Sequence, residues 1–108
     1  MHFSTIVRLH NAESKDSVGF GRGIVQLLLG VQEYGSLNKA TKAMGMAYSK
    51  AWRLLNETEE EFGVKLLERD GAHGSVLTPE AVKMLDVYNK MLKASNDAAT
   101  KVFEKYYK

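Results

Sequence analysis

Apolar residues recur along the chain with two periods, and the places where one gives way to the other mark its elements. Phe3, Thr5, Val7 and Leu9 alternate with Ser4, Ile6, Arg8 and His10, which predicts an extended strand with Ile6 out of phase. Asn11 to Ser17 is polar and reads as a loop, and Val18 to Phe20 is a candidate short returning strand. The period then turns helical. Between Arg22 and Tyr34 the residues Ile24, Leu27, Leu28 and Val31 fall on one face, and Gly35 supplies a stop. Ser36 is placed to cap a second helix, Leu37 to Met44, whose inner face is Leu37, Ala40, Thr41 and Met44. Gly45 provides a turn that needs positive φ, and Met46 points inward. A third helix over 47–62 buries Ala51, Leu54, Leu55, Thr58 and Phe62.

Beyond Gly63, two short extended pieces, Lys65 to Asp70 and Ser75 to Thr78, flank the tip Gly71 to Gly74 and predict a hairpin. Thr78-Pro79-Glu80 opens the last helix with a cap, a proline at the first helical position and an acid at the positive end of the dipole. Nothing interrupts that helix as far as about Tyr106, a length on the order of 40 Å. Its apolar positions outrun what so small a domain can cover by itself. The economical partner is the same helix of a second copy. That predicts a homodimer through Met84, Leu85, Tyr88, Met91, Leu92, Ser95, Ala99, Val102 and Phe103.

Composition changes this picture little. At 108 residues, 44% hydrophobic and 26% charged, the chain has the make-up of one soluble globular domain. It has no cysteine, which excludes disulfides and thiolate metal sites. The N-terminus lacks the pattern of a secretory signal, and the longest apolar run, Ile24 to Val31, is far too short to span a bilayer. A cytoplasmic protein without membrane contact is expected.

Charge placement changes the picture more. The net charge is only +2, yet Ser36 to Asn56 carries Lys39, Lys42, Lys50 and Arg53 with no acid among them. The acids Glu57, Glu59, Glu60 and Glu61 follow as a block. Scattered charge usually marks a solvated face, but basic positions are normally balanced by local acids and these are not. Other chemistry finds no footing. Gly19-Phe20-Gly21-Arg22-Gly23 lacks the Gly-Lys-Ser/Thr ending of a phosphate loop, and His2, His10 and His73 are scattered. The acidic block has no histidine or third ligand beside it and reads as a solvated face, one that would also repel a polyanion. No nucleophile or acid/base pair is recognisable, so neither catalysis, a cofactor nor a metal is expected. Trp52 has two readings, stacking on DNA or packing into the domain; between Ala51 and Leu54, packing is preferred.

The order strand, helix, helix-turn-helix, hairpin and long helix is that of a winged helix-turn-helix, mainly α with a small β component. It divides into 1–78, N-terminal strand included, and the dimerisation helix 79–108 of the same unit. The stretch GSLNKATKAMGMAYSKAWRLLNETEEEFGVKLLER, followed by a Gly-containing tip and VLTPEA, resembles the N-terminal DNA-binding domain of LysR-type regulators. Tyr48-Ser49-Lys50-Ala51-Trp52 and the N-terminal strand are closer still to molybdate-responsive regulators of the ModE type. The resemblance implies double-stranded DNA as partner, with the recognition helix 47–62 in the major groove. On it, Tyr48, Ser49, Lys50 and Arg53 would read bases, while Ser36, Lys39, Lys42, Asn56, Arg69 and His73 would contact the backbone. The chemistry suits: a major groove admits one helix, whose first two turns reach base edges, and Arg or Lys pairs with guanine O6 and N7.

The chain departs from the family pattern in three places. Ala47 stands where a capping Ser is usual, the tip is shorter than a ModE-type wing, and neither an effector domain nor molybdate-binding domains are expected after the long helix. The resemblance therefore leaves molybdate unassigned. Two alternatives accompany DNA binding: a module that docks an unidentified protein through its C-terminal helix, and a sensor of a small oxyanion effector.

Overall fold

Among the residues the structure describes (1–13, 17–72 and 74–107), four helices and one hairpin make up the fold of this computed structural model. They are α1 (Arg22–Tyr34), α2 (Leu37–Met44), α3 (Tyr48–Phe62), β1 (Leu67–Asp70), β2 (Gly74–Leu77) and α4 (Pro79–Tyr107). The strands pair antiparallel, with Leu67 opposite Leu77 and Arg69 opposite Ser75. No described helix is long and apolar enough to cross a membrane.

The helix boundaries follow from local punctuation. Ser36 turns its hydroxyl onto the Lys39 amide at 3.1 Å, satisfying one of the donors left free at the start of α2. Gly45 ends α2 at φ 66°, a left-handed conformation that a side chain would strain, and lets the Met46 amide reach the Thr41 carbonyl at 2.9 Å. α3 begins at Tyr48, behind an Ala47 that offers no side-chain cap, as the sequence requires. Thr78 joins the hairpin to α4. Its hydroxyl donates to the Lys65 carbonyl at 2.6 Å and accepts the Ala81 amide at 3.1 Å, while its own amide donates to the Leu66 carbonyl.

One core lies where α1, α2, α3 and the start of α4 meet. Leu27, Leu28 and Val31 from α1, Ala40 from α2, Ala51 and Leu55 from α3, and Ala81 from α4 are all essentially inaccessible, with Phe20 and Leu66 filling the remaining space. Thr58 is buried among them without penalty, because its hydroxyl donates to the Leu54 carbonyl at 2.8 Å. The hairpin is tied to the helices by the Ser75 amide, which donates to the Gly35 carbonyl at 2.8 Å.

The N-terminal segment differs from the expected strand. Phe3, Thr5, Val7 and Leu9 do face inward and Ile6 is 86% exposed, so the alternation holds. The segment nevertheless forms only one isolated bridge, Leu9 to Phe20, with hydrogen bonds of 2.9 and 2.7 Å. Its buried face lies on a helix instead: Phe3 meets Phe103 of α4 at 5.2 Å between ring centroids, and the Thr5 hydroxyl lies 3.5 Å from the Asn96 carboxamide oxygen. The turn at Gly19 (φ 71°) seats this arm so closely that a Cβ there would lie 2.7 Å from His10 and 2.8 Å from the Leu9 carbonyl.

α4 divides into two parts. Ala81, Leu85 and Tyr88 belong to the core, Tyr88 meeting Phe20 edge-on at 6.1 Å. Beyond them the helix projects, and the molecule measures 54 × 31 × 24 Å.

Candidate nucleic-acid interface

α3 has its buried stripe at Ala51, Leu55 and Thr58, so the positions before and between these face outward by helical phase. Tyr48, Ser49, Lys50 and Arg53 are all exposed on its first two turns, and Asn56 continues the row. Lys39 and Lys42 are exposed on α2. The ion pairs among the described residues are Lys65–Glu59, Lys90–Asp86 and Lys93–Asp97, so none of the four cations of the helix-turn-helix is neutralised by an acid. The uncapped start of α3 adds free amides and the positive end of a helix dipole to the same surface. Anions are what such a surface attracts.

Two of the expected contacts stand differently. Ser36 is 6% exposed, and its hydroxyl oxygen is already engaged as the α2 cap. His73 lies outside the described residues. Arg69, in contrast, is exposed on β1, where strand alternation puts it on the same side as the inward-facing Leu67. Among the described residues its guanidinium makes one hydrogen bond, a long 3.5 Å contact to the Ala72 carbonyl.

Trp52 corrects the preference for packing. It is 46% exposed, beside Tyr48 at 47%, one turn earlier on α3. These two rings line a groove of about 440 Å³ between α3 and the hairpin, together with Ser36 and Asn38 of α2 and its cap and Arg69 and Ser75 of the hairpin. The reason is helical phase. Ala51 and Leu55 take the core-facing positions, so residues 48 and 52 turn toward the hairpin. That phase was available from the sequence; the burial habit of tryptophan obscured it.

The acidic block is also more than a solvated face. Glu57 and Glu60 are exposed, but the Glu59 carboxylate accepts the Leu66 amide at 2.7 Å and lies 3.7 Å from the Lys65 ammonium. Glu61 holds the N-terminal arm. Its carboxylate accepts the Ser17 hydroxyl at 2.6 Å, the Asn11 amide at 2.8 Å and the Gly19 amide at 3.0 Å, while the Asn11 carboxamide donates to the Glu61 carbonyl at 3.2 Å. The Ser17 hydroxyl foremost, then the Asn11 amide, against the opposing effect of partial burial, and with the Gly19 and Ala12 amides adding, bring the Glu61 carboxyl from 4.5 down to about 2. A sequence signal existed. An acid in the last turn of a helix opposes the dipole and calls for outside donors. Among the described residues no group of three His, Cys, Asp or Glu side chains could hold a metal ion.

Residues 24–82, from α1 to the first turn of α4, match the bacterial regulatory helix-turn-helix protein, lysR family. The chain belongs to that family. Solved structures agree on the fold. A CbnR DNA-binding domain in complex with DNA is similar at 22% identity and TM-score 0.58, over 75% of this chain and 92% of that one. The BenM DNA-binding domain on benA site 1 DNA gives 26% identity and TM-score 0.56, over 74% and 92%. ArgP from Mycobacterium tuberculosis gives 18% identity and TM-score 0.53, over 72% of this chain and only 29% of the relative. The chain thus spans nearly all of an isolated DNA-binding domain and under a third of that longer regulator. No curated protein matches it. The N-terminal arm and the distal part of α4 lie outside the family match.

Proposed function

We propose that this chain is a sequence-specific, DNA-binding transcriptional regulator that acts as a homodimer, placing α3 in the major groove of each half-site. The observation that carries the reading is the unneutralised basic face of α2 and α3 within a LysR-family helix-turn-helix. Tyr48, Ser49, Lys50 and Arg53 stand on the two turns that reach base edges, and Lys39 and Lys42 flank the backbone. Asn56 and Arg69 extend the footprint on either side.

The dimer reading needs a narrower surface than the sequence suggests. Leu85 and Tyr88 are 6% exposed and belong to the protomer's own core, and the arm sits on Phe103. The free stripe is Val87, Met91, Ser95, Ala98, Val102 and Tyr106, all exposed and spaced three or four residues apart. Two such stripes facing each other would set the spacing between recognition helices.

Selecting bound duplexes from a random pool tests the proposal. A two-fold symmetric consensus with half-sites one or more helical turns apart is expected. Enrichment without any consensus would overturn sequence-specific reading, and a lone half-site would overturn the dimer. No binding at low salt, together with capture of another protein on the α4 stripe, would favour the protein-docking alternative.

A further inference from the structure

We infer that the groove between α3 and the hairpin seats one DNA strand, a deoxyribose lying against the Trp52 indole while Arg69 holds an adjoining phosphate. This deepens the DNA-binding reading and rests on it. A helix in the major groove and a hairpin at the next minor groove have one sugar–phosphate strand between them, because a single backbone separates the two grooves. The groove bordered by Tyr48, Trp52, Arg69 and Ser75 is the space left for that strand.

Its chemistry fits a phosphodiester. Among the described residues no carboxylate lines the groove, and the guanidinium of Arg69 makes only its long contact to Ala72, leaving donors for a planar, two-pronged grip on phosphate oxygens. The half-exposed indole gives a flat apolar surface for the C–H face of a sugar. Strand alternation and helix phase, which set Arg69 and Trp52 facing the same space, are properties of the backbone and hold without DNA. Contacts of this kind fix the position of the protein on the duplex and carry no base preference. Trp52 is accordingly a positioning contact, distinct from Lys50 and Arg53.

The chain has a single tryptophan, so its fluorescence reports this groove alone. The full chain is titrated with a selected duplex and with an unrelated duplex of equal length. DNA anisotropy follows binding, and acrylamide quenching follows indole accessibility. The quenching constant is expected to fall at least about twofold on both duplexes, and Trp52→Ala to weaken both about tenfold, the scale of a lost aromatic contact to nucleic acid. Trp52→Phe should recover part of that loss, and Arg69→Ala should lower the salt slope by about 0.9. Circular dichroism checks that the variants fold. If Trp52→Ala does not, the quenching of the unaltered chain decides. An indole as accessible in the complex as in the free protein overturns the groove assignment and leaves DNA binding intact, as does an indole already shielded before DNA is added. Weakening of the selected duplex alone overturns the sequence-independent role. No anisotropy rise with either duplex at low salt overturns both readings.

Discussion

Glu61 carries the sharpest test of how the N-terminal arm is held. Three donors converge on its carboxylate, the Ser17 hydroxyl at 2.6 Å, the Asn11 amide at 2.8 Å and the Gly19 amide at 3.0 Å. They bring its pKa from 4.5 to about 2. At ~1.4 kcal/mol per pKa unit, that shift sets a ceiling of about 3 kcal/mol on its contribution to folding. The group is only partly buried, so solvent screening reduces the working figure to about 1–2 kcal/mol. Because the folded pKa is the lower one, the contribution is complete above about pH 5 and fades as the pH falls toward 2. Glu61→Gln removes the charge and keeps the shape. Urea unfolding of both proteins should show a gap of about 1–2 kcal/mol at pH 7 that shrinks to less than half near pH 3. The remaining carboxyl groups titrate in both proteins and cancel in the difference. A gap that stays constant across that range would show that the charge is not the cause, and no gap at pH 7 would show that the latch does not form. Hydrogen exchange at the Asn11 and Gly19 amides, faster in the variant at pH 7, supplies the local readout.

Other expected outcomes follow from the same contacts. Lys50→Ala and Arg53→Ala should each weaken a selected duplex by about 1–3 kcal/mol while changing an unrelated duplex less, measured by anisotropy, if they pair with guanine. Lys39→Ala should weaken all duplexes alike and reduce the slope of log affinity against log salt by about 0.9. Met91→Glu and Val102→Glu, placing charges on the free α4 stripe, should shift the protein toward monomer in sedimentation equilibrium without lowering its helix content. Thr78→Val loses both the Lys65 carbonyl bond and the α4 cap, and should lower stability by about 1–2 kcal/mol in urea unfolding.

The parts of this molecule legible in the sequence are those set by near neighbours. Gly35, Ser36, Gly45 and Gly63 end or begin helices through bonds to residues three or four positions away, so the bounds of α1 and α2 could be read directly and α3 within a residue. The basic face was equally readable, because an unneutralised surface is a statement about which residues are missing from a segment. What escaped depends on distant partners. The donors on Glu61 lie 42 to 50 residues away in the chain, and two of the three are backbone amides, which any residue type supplies. Alternation from Phe3 to Leu9 correctly reported an extended chain with one buried face. It could not report whether that face meets a strand or a helix, since either buries every second residue.

The helix beneath that face explains why the proposed dimer surface is narrower than periodicity suggests. Residues 92, 99 and 103 recur on one edge of α4, and residues 87, 91, 95, 98, 102 and 106 on the next, about 100° around the helix. Periodicity alone merges the two into a single wide apolar stripe. In the folded chain the arm claims the first edge, with Phe3 on Phe103 and Thr5 beside Asn96, and leaves the second free. A wide stripe would let a partner helix settle in several rotational registers, whereas a narrow seam permits few. The arm is tethered at its other end to the last turn of α3 through Glu61, so the element that narrows the α4 seam is anchored on the proposed recognition helix. In the proposed dimer, the seam is then bounded by an arm whose other end is held at Glu61.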